Sequence, residues 1–351
     1  MGNLDETFLG LSLEEAKSRV VQLGGRAFHA GVIRREVFER GVLDYAAMTS
    51  LSKPLRERLA AELPLLSSQE IARSEAPDGT TKLLLRLADG ETVETVHMPA
   101  RPRGGEARRG ATLCVSTQVG CPVRCPFCAS GRSGLVRNLA AHEILEQYLH
   151  GRALGPLRRS VVMGIGEPLA NQTQLIAAMR QVNRDLGLGA RRVTVSTVGF
   201  PDRLRRLVDE LGRHPPFQLA ISLHSADDDQ RARLVPAMAG VPVEDVLAAG
   251  DLWFDRTGRE VTFEVCLLGG ENDSIGHAER LAARLARRRA TVNLIPYNPV
   301  PGDRFLRPEP DAVESFRATL EAGGVVATVR WSRGLDSDAA CGQLRSRIHP
   351  V

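Results

Sequence analysis

Along the first hundred residues the apolar positions change their period. Over residues 12–64 they recur at helical spacing, as in 31–40 and 55–63, and Ser12-Leu-Glu-Glu supplies a capping-box start. This predicts a small module of short helices. The period then drops to two over 81–87 and 91–98, with Ala88-Asp89-Gly90 between them, which predicts a β-hairpin carrying Glu94 to the edge of the next domain. The basic, glycine-rich stretch 100–110 reads as a linker. The expected division is an N-terminal accessory domain over 1–99 and a larger second domain over 100–351.

From residue 111 onward apolar, strand-like runs alternate with amphipathic helical patterns. The strands fall at 112–116, 161–164, 193–197, 218–223, 261–267 and 292–296, and the helices near 140–153, 171–186, 200–212, 243–255 and 274–289. Such alternation predicts parallel strands joined by right-handed helical crossovers. About six units fit, short of the eight of a closed barrel. The expected fold is therefore α/β, a partial TIM-like (βα)6 barrel with an open side, preceded by the helical module and hairpin.

One segment departs from both periods. Cys121-Pro-Val-Arg-Cys125-Pro-Phe-Cys128 places three thiols on a loop too rich in Pro and small residues for a helix. Three thiolates can hold three corners of an iron-sulfur cube and leave one iron open, whereas a closed structural zinc site takes four ligands. A zinc knuckle completed by a distant Cys or His remains an alternative.

Composition narrows the setting. Hydrophobic residues make up 43% of the 351, yet no apolar run reaches the roughly 18 residues that span a bilayer, and the start lacks a signal-peptide pattern. A cytoplasmic location is the default. Six cysteines, clustered rather than spread in pairs, point to metal or redox chemistry in a reducing compartment and away from a disulfide scaffold. The net charge is +4, but the basic residues are mostly Arg, concentrated at 101–109, 158–159 and 284–289. That permits an RNA partner without requiring one.

Ligand sites in parallel α/β folds lie at the carboxyl ends of the strands. There the sequence offers Gly164-Ile-Gly166-Glu167-Pro168, Ser196-Thr197, Ser222-Leu223-His224 and, after Ile295-Pro296-Tyr297, Asn298. The glycines suit a close backbone approach to a ligand, and Glu167 suits an amine or ribose hydroxyls. Cys114 lies on the first strand. Gly342 after Cys341 predicts an exposed, mobile turn near the C-terminus, and Cys266, mid-strand, reads as core.

The spacing of Cys121, Cys125 and Cys128, with an aromatic before the last, resembles the signature of radical SAM enzymes. The resemblance extends further. Cys114 to Cys128, Arg137-Asn-Leu139, Gly166-Glu-Pro-Leu169, Ser222-Leu-His224, Leu294 to Pro299, Val93-Glu-Thr-Val96 and Ala340-Cys-Gly-Gln-Leu344 together are similar to the RlmN/Cfr family of RNA methyltransferases. That likeness implies a 4Fe-4S cluster on the three cysteines and S-adenosyl-L-methionine held by Gly166, Glu167, Ser196, Ser222, Leu223, His224 and Asn298. It implies methylation of adenine at C2 or C8, in rRNA and possibly tRNA. Cys341 would carry the methyl, Glu94 would take the ring proton, and Cys114 would resolve the enzyme-RNA adduct through a transient disulfide, so two cysteines far apart in sequence should meet. Implied partners are RNA and an electron donor such as a flavodoxin-type reductant. The chain is expected to act as a monomer away from membranes. The long basic linker and Tyr297, where RlmN-like chains often have Trp, leave the RNA and the carbon open. A radical SAM enzyme acting on a non-RNA substrate and an RNA-binding module with a structural metal remain as alternatives.

Overall fold

The structure, a computed structural model, describes residues 6–100, 110–332, 334 and 339–344. The Arg-rich run 101–109, most of the expected linker, lies outside the described residues.

Three helices open the chain: α1 (Leu13–Gln22), α2 (Ala27–Phe38) and α3 (Lys53–Glu62). The capping box forms as the sequence predicts: Ser12 Oγ accepts from the Glu15 N–H at 3.3 Å, and Glu15 accepts from the Ser12 N–H at 2.8 Å. Val20, Ile33, Val37 and Leu59 are fully buried and join the main core. Next comes an antiparallel meander of β1 (Gln69–Glu75), β2 (Thr81–Arg86) and β3 (Thr92–Met98), in which β2 and β3 form the expected hairpin. Gly90, at φ 89°, supplies the left-handed turn residue between them.

The meander does not stand apart. β3 pairs antiparallel with β4 (Ala111–Cys114), Val96 opposite Cys114. After β4 come a two-stranded ribbon, β5 (Gln118–Gly120) with β6 (Leu135–Asn138), and then α4 (Ala141–Ala153). From β4 the sheet continues in parallel through β7 (Leu157–Val162), β8 (Val193–Thr197), β9 (Gln218–Ser222), β10 (Val261–Leu267), β11 (Ala290–Pro296) and β12 (Ala327–Val329). The crossovers are α4, α5 (Gln172–Asp185), α6 (Pro201–Leu211), the short α7 (Asp228–Leu234) followed by α8 (Val243–Thr257), α9 (Ile275–Leu285) and α10 (Pro310–Ala322). Six βα units are present, with a seventh parallel strand closing the series. The ten-stranded sheet ends at β1 and β12, so the barrel is partial, as expected.

The register explains how a cavity survives inside this sheet. Val195, Leu219, Ile221, Phe263, Val265, Val292 and Leu294 are buried beneath the crossover helices. Their neighbours on the opposite face pair across the strands as Ser222 with Glu264 and Glu264 with Asn293. An apolar outer face packs the helices, at about 1.5–3 kcal/mol per fully buried large side chain. A polar inner face favours water or ligand in place of a closed core.

Candidate active site at the carboxyl ends of the strands

The three-thiol segment is the loop between β5 and β6. Its ends are tied by the Cys121 N–H donating to the Gly134 carbonyl at 2.9 Å, and Arg124 takes a left-handed φ of 58°. Cys121, Cys125 and Cys128 face a cavity of about 170 Å³ that Gly166, Glu167, Ser196, Ser222, His224 and Asn298 also line. Thus the structure brings together nearly every residue expected to hold the cofactor. Leu223 is the exception. Its side chain is fully buried in the core and its N–H is spent on the Glu264 carbonyl at 2.9 Å.

Two expectations change in detail. Gly164 and Gly166 line the cavity, but packing already demands them: a Cβ on Gly164 would meet Ser116 Oγ at 2.6 Å, and one on Gly166 would meet Thr117 Oγ1 at 2.7 Å. Glu167 is largely occupied within the protein. Its carboxylate accepts from the Leu169 N–H (2.9 Å), Thr197 Oγ1 (2.5 Å) and the Val198 N–H (2.9 Å), while burial pushes its pKa up. A carboxylate accepts about four hydrogen bonds, so one site remains for an amine.

His224 sits at the end of β9 with φ 62°, edge-on to Phe127 at 5.0 Å. Burial, with Arg231 adding to it, lowers its pKa to about 3. Its Nδ1 accepts the Cys266 N–H at 3.1 Å, so the neutral ring carries its proton on Nε2.

Sequence reasoning passed over Glu264, which lines this cavity, accepts from Ser196 Oγ at 2.6 Å and is 4% exposed. Cys266 is buried as expected, yet it faces the cavity and does not sit in the apolar core alone. The signal for both was the period of two in Thr262, Glu264 and Cys266, opposite Thr291, Asn293 and Ile295.

The turn bearing Cys341 is half-buried and pinned, contrary to the exposed, mobile turn expected from Gly342. Asn298 Nδ2 donates to the Cys341 carbonyl at 2.9 Å, the Ala129 N–H to the Gly342 carbonyl at 2.8 Å, and Ser130 Oγ to the Leu344 carbonyl at 2.7 Å. These bonds tie the C-terminal turn directly to the thiol loop. Cys341 lines a second cavity as well, of about 240 Å³, with Cys114, Val96, Met98, Met163, Arg330 and Trp331. The two thiols separated in sequence therefore line one cavity, as free cysteines. Burial, then the neighbouring Cys341 sulfur, pushes the Cys114 thiol up to about 12, and the Cys341 sulfur and Glu264 keep the Arg330 guanidinium charged.

Glu94 is placed differently. It is fully buried on β3, 3.0 Å from Lys82 Nζ, and does not line either cavity. It shares a face with Val96, which does.

The donor chemistry fits an iron-sulfur cluster. Burial raises the pKa of all three loop thiols, Cys121 to about 12, so a bound cluster must supply the positive charge that keeps them deprotonated. Among the described residues no three His, Cys, Asp or Glu side chains are arranged around a single-ion position. Arg231, almost fully buried, donates from Nε to the Leu223 carbonyl (3.1 Å) and from Nη2 to the Val198 carbonyl (2.7 Å), and its Nη1 has no hydrogen-bond partner among the described residues.

Comparison with known proteins agrees with this geometry. A family profile described as "Radical SAM superfamily" matches residues 115–282, and one described as "Ribosomal RNA large subunit methyltransferase N-terminal domain" matches 7–64. Relatives from Nostoc punctiforme (42% identical, covering 96% of this chain and 93% of the relative) and Prochlorococcus marinus (44%, covering 97% and 96%) are both named "Probable dual-specificity RNA methyltransferase RlmN". The crystal structure of a radical SAM methyltransferase from Sphaerobacter thermophilus superposes with a TM-score of 0.89 at 40% identity, covering 97% of this chain and 100% of that one.

Proposed function

We propose that this chain, which belongs to the RlmN family of radical SAM RNA methyltransferases, methylates an adenine ring carbon of RNA through the thiol of Cys341. One observation carries the proposal: Cys341 lines both cavities, with the cluster thiols on one side and Cys114 on the other. A ring carbon of adenine is electron-poor and cannot displace a methyl group directly, so a covalent relay is needed.

When bound, a 4Fe-4S cluster on Cys121, Cys125 and Cys128 together with S-adenosyl-L-methionine supplies the methyl group and a hydrogen-abstracting 5'-deoxyadenosyl radical. This chain supplies the rest. Gly166, Glu167, Ser196, Ser222, His224 and Asn298 surround the cofactor. Leu223 contributes by fixing the end of β9. Cys341 holds the methyl as a thioether, and Asn298, bound to its carbonyl, sets where that sulfur points. Glu94 would take the ring proton; it shares a face of β3 with the cavity-lining Val96 and is ion-paired with Lys82. The Cys114 thiolate would then attack the Cys341 sulfur, forming the S–S bond as the bond from that sulfur to the methylene carbon breaks; the electron pair passes to the adenine, and the freed carbon takes up a proton to become the methyl group.

The relatives' name, a dual-specificity RNA methyltransferase, and the ribosomal RNA description of the N-terminal profile support rRNA as the substrate, and the resemblance to RlmN implies C2 as the carbon and tRNA as a second substrate. The helical module, matched over 7–64, supports an RNA-binding role for the N-terminal domain, 1–99. Its hairpin strands nevertheless continue the barrel sheet, so the boundary with 100–351 crosses a continuous structure. No described helix is long and apolar enough to cross a membrane, and six free thiols suit a cytoplasmic setting. A monomer completes the reading.

Anaerobic incubation with S-adenosylmethionine, a reductant and RNA from a host lacking such an enzyme tests it by nucleoside mass spectrometry. 2-Methyladenosine is expected. 8-Methyladenosine would move the activity to the Cfr kind, and cofactor cleavage without either product would sink the RNA substrate. Cys114→Ala should accumulate protein covalently linked to RNA, and free methylated RNA at the wild-type rate would refute the resolving role.

A further inference from the structure

The two tryptophans of the chain have opposite settings. Trp253, on α8, is fully buried and lies nearly parallel to Phe217, their ring centres 6.1 Å apart. Trp331 is 48% exposed, at the rim of the cavity that Cys114 and Cys341 share. It follows β12, and the Arg330 N–H just before it donates to the Leu294 carbonyl at 2.8 Å, so the residue is rooted in the edge of the sheet. The Arg307 guanidinium carbon sits 5.8 Å from the centre of the indole and covers one face. Arg307 is itself fixed, its Nη1 donating to the Tyr297 carbonyl and to Asn298 Oδ1, each at 3.0 Å. Asn298 in turn donates to the Cys341 carbonyl at 2.9 Å. A line of direct contacts thus runs from a half-exposed indole to the turn that carries the thiol.

We propose that Trp331 is a stacking platform for the nucleobase next to the target adenine, and that it positions the RNA over Cys341. The proposal rests on the RNA methyltransferase reading above. A base that reacts inside a cavity must first leave its own stack, and its neighbour in the strand then loses a stacking partner. An indole at the rim replaces that partner whatever the neighbour's identity, because every base has a π-face. The target itself must pass inside, beside Met98 and Met163, to reach the sulfur, so the half of the indole that stays in water falls to the base beside it. Arg307 holds the ring from behind and, through Asn298, ties the platform to the Cys341 turn. Stacking on Trp331 therefore fixes the RNA relative to the thiol that carries the methyl. Two cations, Arg307 against the ring and Arg330 beside it in the chain, suit a strand of phosphates better than an apolar protein partner.

The test uses the cluster-loaded protein and a hairpin RNA carrying the adenosine found methylated in the assay above, with the base on either side removed in turn. Because Trp253 is shielded by the core, a change of tryptophan fluorescence reports on Trp331. The intact hairpin should quench it in the wild type and not in W331F. W331A should raise KM for the RNA about five- to 150-fold, the range of one lost base-aromatic stack, and lower kcat far less. W331F, which keeps a flat ring, should restore much of the affinity. Removing one neighbouring base should weaken wild-type binding by about the same factor as W331A, and the two losses should not add. Iron content and melting temperature of both variants should match the wild type. A wild-type KM in W331A, or losses that add for both abasic hairpins, overturns the platform. So does methylation by the wild type without quenching, a readout that needs no variant. By contrast, wild-type protein that methylates no RNA overturns the RNA methyltransferase reading itself, and the proposal with it.

Discussion

Burial leaves the His224 imidazole neutral, and that has a measurable cost in acid. In the unfolded chain a histidine takes up its proton near pH ~6.5, whereas in the fold its pKa is lowered to about 3. A base whose folded pKa lies below its unfolded one destabilises the fold as pH falls through that window. The unfolded chain protonates first; above about pH 6.5 the group has no effect. Relative to His224→Asn, which tolerates the left-handed backbone, metal-free wild type should lose about 1.4 kcal/mol per pH unit between about pH 6 and pH 4. Urea unfolding across that range measures the gap, and parallel pH profiles would mean the imidazole is solvated after all. At this scale the sequence was informative where chemistry depends on local spacing, as in Cys121, Cys125 and Cys128. It was silent on Glu264 and placed Cys266 only in the core, because Phe263-Glu-Val-Cys reads as part of an apolar strand. In an open barrel one face of each strand lines the cavity, and alternate polar residues mark that face.

Among the elements, the strand-to-helix turn after β7 illustrates how packing and function share residues. Ser116 Oγ donates to the Glu94 carbonyl at 2.7 Å and accepts from the Ile165 N–H at 2.9 Å, fixing β3, β4 and the turn together. A methyl at residue 164 would lie 2.8 Å from the Val115 carbonyl carbon and oxygen as well as 2.6 Å from that hydroxyl. Backbone cannot yield as a flexible side chain would. Gly164→Ala should therefore cost about 1–3 kcal/mol and displace Gly166 and Glu167, lowering both melting temperature and iron retention. Gly189→Ala, at a site with nothing within 4 Å of the added carbon, should change neither. Equal behaviour of the two variants would show that the turn is more pliable than the contacts imply. Elements missed from the sequence were the short or polar ones. β12 and β5 have three residues each, β1 reads Gln-Glu-Ile-Ala-Arg-Ser-Glu with half of it exposed, and α10 begins at Pro310 in a proline-rich stretch. Periodicity needs length and contrast, and these segments lack one or the other.

For the molecule as a whole, the relation of the helical module to the barrel turns on a single buried carboxylate. Glu146, on α4, is fully buried and accepts the N–H groups of Ser67 and Ser68, each at 2.8 Å, along with both their hydroxyls. These serines lead from the module into β1. Further ties come from the Arg34–Asp185 ion pair and from Arg152, which donates to the Phe38 and Glu39 carbonyls. Glu146→Ala would strand the buried Ser68 N–H and leave the half-buried Ser67 N–H to solvent, a loss of about 1–3 kcal/mol for the buried group, concentrated where module and barrel join. Glu146→Gln keeps one acceptor oxygen and should recover part of that. If the module is an RNA-holding arm on an independently folded barrel, Glu146→Ala should expose residues 64–69 to limited proteolysis and weaken RNA binding. Cleavage of S-adenosylmethionine should persist, because every thiol and strand end around the cofactor cavity lies beyond residue 113. The continuous sheet and shared core argue for the opposite coupling: a module that cannot loosen without unfolding the barrel. In that case the variant would lose iron, cofactor cleavage and RNA binding together at one transition. The order in which these three properties disappear on heating Glu146→Ala decides between an appended arm and one cooperative molecule.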